Sequence, residues 1–132
     1  RRAAALVVLQ QWFERRAAAW SRADVDALAA LYSSSAAARA DVAQLRSYAE
    51  RGLRVRGMKQ QLLSVKIRER SARRLVLRVQ DRSVGAEVVP SNSQGRKASS
   101  AVALPRAAVR ERTITLLKRD KTWVVQRVQV SQ

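Results

Sequence analysis

At Gly52 the hydrophobic period of this chain changes, and no other feature limits its fold as much. Before it, apolar residues recur at helical spacing; after it they alternate. A chain with its helices first and its strands second buries both kinds of apolar surface by laying helices against one face of a sheet. That order is α+β by class, with a mainly antiparallel sheet.

Residues 3–20 read as the first helix, with Leu6, Leu9, Phe13 and Trp20 on one stripe, Trp12 beside it, and Glu14, Arg15 and Arg16 on the wet side. Asp24 is a suitable N-cap, because its carboxylate can accept a bond from an orphan backbone N–H. A short helix over 24–32 follows, with Val25, Leu28, Leu31 and Tyr32 inward. Ser33–Ser35 breaks the chain, and a third helix fits 38–51, with Val42, Leu45, Tyr48 and Ala49 as its stripe. Asp41 near its start and Arg51 near its end suit the helix dipole, and Gly52 stands where a left-handed terminating residue is expected.

Strands are expected over 53–57, 60–70, 74–82 with continuation through Val89, 108–118 and 122–130, the last two joined by a turn at Lys118–Lys121. Leu63, Val65 and Ile67 alternate on the second strand, and Leu75, Leu77 and Val79 on the third. The polar stretch over about 90–105, from Pro90 to Pro105, is expected to be a mobile loop. At 132 residues the whole chain, 1–132, fits one domain with one core.

The charge is far from balanced: 27 Lys and Arg stand against 10 Asp and Glu, a net of +17. Residues 54–132 hold 19 of the cations and only 5 of the acids. Such an excess favours polyanions as partners: nucleic acid, anionic lipid or an acidic cell-wall polymer. Arg outnumbers Lys 22 to 5, so codon bias in a GC-rich coding sequence supplies a competing explanation. Strand alternation puts Lys66, Arg68, Arg78 and Arg82 on the outer face of the sheet, and the same face is expected for Arg110, Arg112 and Arg127 of the last hairpin. Single-strand readers set aromatics among such cations for stacking. Here the late aromatic is Trp123, expected in the core, so nucleic acid is the weaker of the polyanion readings.

The chain has no Cys and no His. That removes disulfides, a thiol nucleophile, and the commonest general base and metal ligand. With four scattered Gly there is no phosphate-cradling loop, and no cofactor or metal is expected. No apolar run reaches the ~20 residues that span a bilayer. The sequence opens Arg1-Arg2 with no Met, so an upstream targeting or anchoring segment is expected in the full protein.

The first helix with its Trp, the segment Asp24-Val25 with Leu28, Leu31 and Tyr32, a third helix ending in Gly, and Trp123 followed by alternating Val124, Val125 and Val128 together resemble the NTF2-like (SnoaL-like) superfamily, most closely actinobacterial members of unassigned function. The resemblance implies a cone: three N-terminal helices packed on a strongly curved, mainly antiparallel sheet, often with a pocket between them. It also implies a family that includes isomerases, dehydratases, adaptors and domains of envelope machines.

Enzymatic members generally pair Asp with His or Tyr inside the cone, and the missing His counts against carrying that activity over. The remaining candidates for a pocket are Glu69 and Asp81, each continuing an inward alternation, with Tyr32 and Tyr48 to orient a ligand. Ion pairing with the nearby Arg68, Arg70, Arg78 and Arg82 is the stronger expectation for both carboxylates. The leading functional expectation is a non-catalytic interaction or ligand-holding domain of a membrane-anchored, extracytoplasmic protein. Its partner would be an anionic membrane or wall surface, another protein, or a second copy of the chain. A cone-pocket enzyme or binder and a nucleic-acid module are the alternatives.

Overall fold

The computed structural model describes residues 2–92 and 101–131. Three helices come first: α1 (Arg2–Ser21), α2 (Val25–Ala29) and α3 (Ser35–Glu50). Asp24 caps α2 by accepting a bond from the Ala27 amide at 3.0 Å. Ser34 caps α3 in the same way, from the Ala37 amide at 3.1 Å. The serine break is therefore the cap itself, and α3 starts three residues earlier than the apolar stripe suggests, through alanines that form helix readily. The chain leaves α3 through Gly52 at φ +71°, a backbone that a side chain resists.

Among the described residues seven strands follow: β1 (Leu53–Arg56), β2 (Lys59–Arg70), β3 (Arg74–Val84), β4 (Glu87–Pro90), β5 (Val102–Ala103), β6 (Arg110–Arg119) and β7 (Thr122–Val130). They form two antiparallel sheets, β1-β4-β5 and β2-β3-β6-β7. The sheets meet along one interrupted ladder. β2 pairs with β3 up to Lys59 opposite Val84, and β1 pairs with β4 from Arg56 opposite Glu87. Between these pairs lie Gly57 and Gly85, both at φ +74°, and a Cβ on Gly57 would sit 2.9 Å from the Gly85 carbonyl oxygen. Two glycines facing each other let the ladder bend, and this bend ends β3 at Val84 where alternation alone would run it on through Val89. The loop expected over 90–105 is also shortened, because Val102 and Ala103 pair with Val88 and Glu87. Residues 93–100 of that loop lie outside the described residues.

The core fills the space between the helices and the inner face of the long sheet. Leu9, Leu28 and Leu45 from the helices meet Leu77, Val79, Ile114 and Leu116 from β3 and β6, all fully buried. The Trp12 indole N–H donates to the Leu31 carbonyl at 2.8 Å, which gives a buried donor its partner.

Two register shifts in β2 correct the expected faces of that strand. One falls between Leu62 and Ser64 and the other between Ile67 and Glu69. An extra residue at each point flips the side chains beyond it. Leu62 packs on the core while Leu63 is 50% exposed, and Glu69 moves to the outer row, opposite Val76.

Candidate functional site

α1 passes Trp12, Arg16 and Trp20 along one side at helical spacing, and α3 lays Asp41 against them. The Asp41 carboxylate accepts four bonds, two on each oxygen. Oδ2 takes Arg16 Nε at 2.7 Å and the Tyr32 hydroxyl at 2.6 Å. Oδ1 takes Arg16 Nη2 at 2.8 Å and the Trp20 indole N–H at 3.1 Å. Burial by itself would raise the Asp41 carboxyl, but the two-pronged Arg16 guanidinium and the Tyr32 and Trp20 donors hold it below the usual carboxylate range. Burial, and then the Asp41 charge, push the Tyr32 phenol well above its ordinary value. Arg16 was expected on the wet side of α1; the structure turns it inward, because Asp41 offers a bidentate partner.

A second ion pair faces the first across a cleft of about 530 Å³ between the helices and the long sheet. Asp81 is 1% exposed, and Arg112 holds both of its oxygens. The Gln60 amide also donates to Asp81 Oδ2 at 2.8 Å, and the Gln60 oxygen accepts from the Ser83 hydroxyl at 3.1 Å. The aromatic wall is Trp12, Phe13 and Tyr32, and Ala36, Ala37 and Ala40 keep the α3 lip low. At the mouth stand Arg110 and Arg127, both exposed, and neither makes an ion pair among the described residues.

The expected site residues therefore scatter. Tyr32 lines the cleft, and Asp81 lies buried behind its wall, held by Arg112 and Gln60, which do line it. Tyr48 lies in a neighbouring recess, edge-on to Trp20 with ring centres 5.7 Å apart. Glu69 does not line the cleft: the second β2 shift sends it outward, where it pairs with Arg74. Of the outer-face cations, Lys66 and Arg78 do face each other across β2 and β3, and Arg68 is exposed. Arg78 is partly neutralised, since it holds Glu111 at 3.1 and 3.0 Å and keeps that carboxyl below its ordinary range. Arg82 donates to the Gln61 side chain at 2.6 Å.

Arg112 and Arg110 do not lie on the outer face. They stand opposite Val79 and Asp81, in the same inner row as Ile114 and Leu116. The core requires Ile114 and Leu116 inward, and strand parity carries the two arginines with them. Arg127 sits beside a register shift in β7 and also lines the cleft.

Asp41 is the site residue that does not figure among the sequence candidates, whereas Arg112 does but on the opposite face. The signal was present: Ala38, Asp41, Leu45 and Tyr48 fall on one stripe of α3, and a carboxylate inside such a stripe needs a buried partner.

No protein-family model matches the sequence, and neither does any curated protein. Solved structures do share its fold. The intermembrane space region of the chloroplast protein ARC6 superposes with a TM-score of 0.63 at 11% identity, over 97% of this chain and 94% of that one. A protein of unknown function with a cystatin-like fold from Nostoc punctiforme matches at 0.52 and 14% identity, over 94% and 87%. An uncharacterised cystatin-like protein from Caulobacter vibrioides matches at 0.51 and 13%, over 96% and 89%. The chain thus has the cystatin-like, NTF2-like cone: three helices packed on antiparallel sheets.

Proposed function

We propose that residues 1–132 form one NTF2-like domain, of the SnoaL-like kind, that holds a ligand or partner without chemistry, in a protein of the cell envelope. The observation that carries the first half is the state of the two carboxylates at the cleft, Asp41 in its wall and Asp81 buried behind it. Each is engaged by an arginine through both oxygens, so neither stands free as a general base. Rigid, neutralised walls with two uncompensated guanidinia at the mouth suit the retention of an anionic group. The envelope half is supported by the fold shared with the ARC6 intermembrane space region over nearly all of both chains. The excess of cations, which suits an anionic surface outside the cytoplasm, supports it too. Among the described residues no helix is long and apolar enough to cross a membrane.

Amide chemical shifts followed during titration with short organic carboxylates test the holding role. Saturable shifts confined to residues 36–44, 110–112 and 126–128, and lost in the Arg110→Ala, Arg127→Ala double variant, are expected. Linear shifts spread over the whole basic surface would refute it. Fractionation of the native host tests the location: recovery with soluble cytoplasmic proteins would remove the envelope from the reading.

A further inference from the structure

The topology gathers cations at one end of the long sheet. In the order β2-β3-β6-β7 the end of β2, the start of β3, the end of β6 and the start of β7 all lie on the same edge. The two turns there touch: the Lys118 amide donates to the Arg73 carbonyl at 2.9 Å. One turn supplies Arg70, Arg73 and Arg74, and the other Lys118, Arg119 and Lys121. Against these six stand two acids, Glu69 and Asp120, and Glu69 already holds Arg74. The first turns of α1 come to the same end, where Ala4 and Ala5 share a recess with Arg70, Ser71 and Ala72 and where Arg2 is exposed.

We propose that this end is a docking surface for the anionic head groups of a lipid bilayer. The proposal deepens the envelope reading and rests on it, and it moves the main polyanion contact from the sheet face to the sheet end. On the face, Arg78 is occupied by Glu111 and Arg82 by Gln61, which leaves Lys66 and Arg68 exposed and outside any ion pair among the described residues. At the end, Arg70, Arg73, Lys118 and Lys121 are exposed with no ion pair among the described residues. Shape selects the partner. Four strand ends at ~4.8 Å spacing give a contact ~15 Å wide. That is a blunt point suited to a planar array of charge, and it offers no groove for a polymer to follow. Trp123, the aromatic nearest the turns, packs against the core, so no exposed ring offers a base a stacking platform.

The test is co-sedimentation with vesicles of phosphatidylcholine containing one-third phosphatidylglycerol, using two triple variants of equal charge. The end variant is Arg73→Ser, Lys118→Ser, Lys121→Ser. The face variant is Lys66→Ser, Arg68→Ser, Arg82→Ser. Five of the six residues are exposed and Arg82 is half-buried, and circular dichroism checks that each variant folds. Each cation near an anionic bilayer contributes about fivefold to partitioning, so the end variant is expected to lose roughly 100-fold. The face variant is expected to stay within about threefold of the parent. Equal losses would mean that net charge alone acts, and would overturn the proposal. A larger loss in the face variant would overturn it too, while leaving the envelope reading intact. No vesicle binding by the parent, or binding to a DNA oligomer that survives physiological salt when vesicle binding does not, would overturn both.

Discussion

Replacing Asp41 with Asn tests whether the first ion pair holds α1, the α2–α3 connection and α3 together. The carboxylate side chain is 9% exposed and its Arg16 partner 21%. It accepts from four donors on Arg16, Tyr32 and Trp20. An amide keeps one acceptor oxygen and turns an NH2 toward donors that need an acceptor, while the Arg16 charge stays inside without its counter-ion. Breaking a buried pair by removing one partner costs about 3–5 kcal/mol. The residual exposure of Arg16 lets water relieve part of this, so the low end, ~3 kcal/mol, is expected. For 132 residues, unfolding entropy of ~2.1 cal/mol/K per residue converts that loss into a fall in Tm of ~10 °C. Urea denaturation followed by tryptophan fluorescence measures it directly. The pH dependence gives a second readout with a fixed sign. The folded-state pKa of Asp41 lies below its ordinary value, so the stabilisation is complete above the unfolded carboxylate range. It is lost as pH falls through ~4 and below. The gap between parent and Asp41→Asn should therefore be full at pH 7 and shrink steadily below pH ~4. A gap under ~1 kcal/mol at neutral pH, which is the size of a surface pair, would refute the reasoning. So would a gap that stays constant into acid.

The same cluster sets the alkaline behaviour of Tyr32. Its raised pKa means that the phenol stays protonated while the domain is folded, so its ultraviolet ionisation is expected to coincide with alkaline unfolding and not to precede it. Tyr32→Phe removes one bond to a charged acceptor and is expected to cost about 1.5–3 kcal/mol in urea denaturation. Arg112→Leu leaves Asp81, 1% exposed, with only the Gln60 amide. A loss of about 3–5 kcal/mol is expected, and Asp81→Asn, Arg112→Leu together should recover part of it. Gly52→Ala meets no neighbour within 4 Å and should cost only the left-handed backbone penalty of about 1–2 kcal/mol. Gly57→Ala adds a 2.9 Å clash with the Gly85 carbonyl and should cost clearly more by the same denaturation measurement.

The order of elements was legible because hydrophobic period and caps are local signals. The switch at Gly52, the Asp24 cap and the hairpin turn at Lys118–Lys121 all fall where the chain says they do. Faces were legible only where the alternation ran uninterrupted. β3 keeps strict parity, so Leu75, Leu77, Val79 and Asp81 share one face, as their spacing indicates. β2 does not: two shifts hide in a stretch where Leu62 and Leu63 are equally apolar, so nothing in the composition says which one faces the core. Arg110 and Arg112 were misplaced for another reason. Their charge suggests the outer face, but Ile114 and Leu116 fix the row and Asp81 supplies the counter-charge that makes an inward arginine stable. A bulge and a cross-strand ion pair both depend on the partner strand, which single-strand periodicity does not contain.

Placement also bears on whether the basicity of this chain is more than codon bias. Bias fixes how many arginines a sequence has; it does not fix where they sit. Five acids hold arginines in ion pairs among the described residues, and the two least exposed of these acids, Asp41 and Asp81, hold the two arginines of the cleft wall. Carboxylates are scarce in this sequence, with 10 for 27 cations, yet two are spent in the interior, where an unpaired guanidinium would be most costly. The surface is left with the surplus. Scattered evenly, that surplus would only repel itself. Part of it is spread over the helices and the sheet face, as at Arg22, Arg39, Arg46, Lys66 and Arg68, and part is brought together by the fold at the mouth of the cleft and along two touching turns at the sheet end. Such crowding opposes the fold unless an anion relieves it, and that is the physical ground for reading both places as binding surfaces.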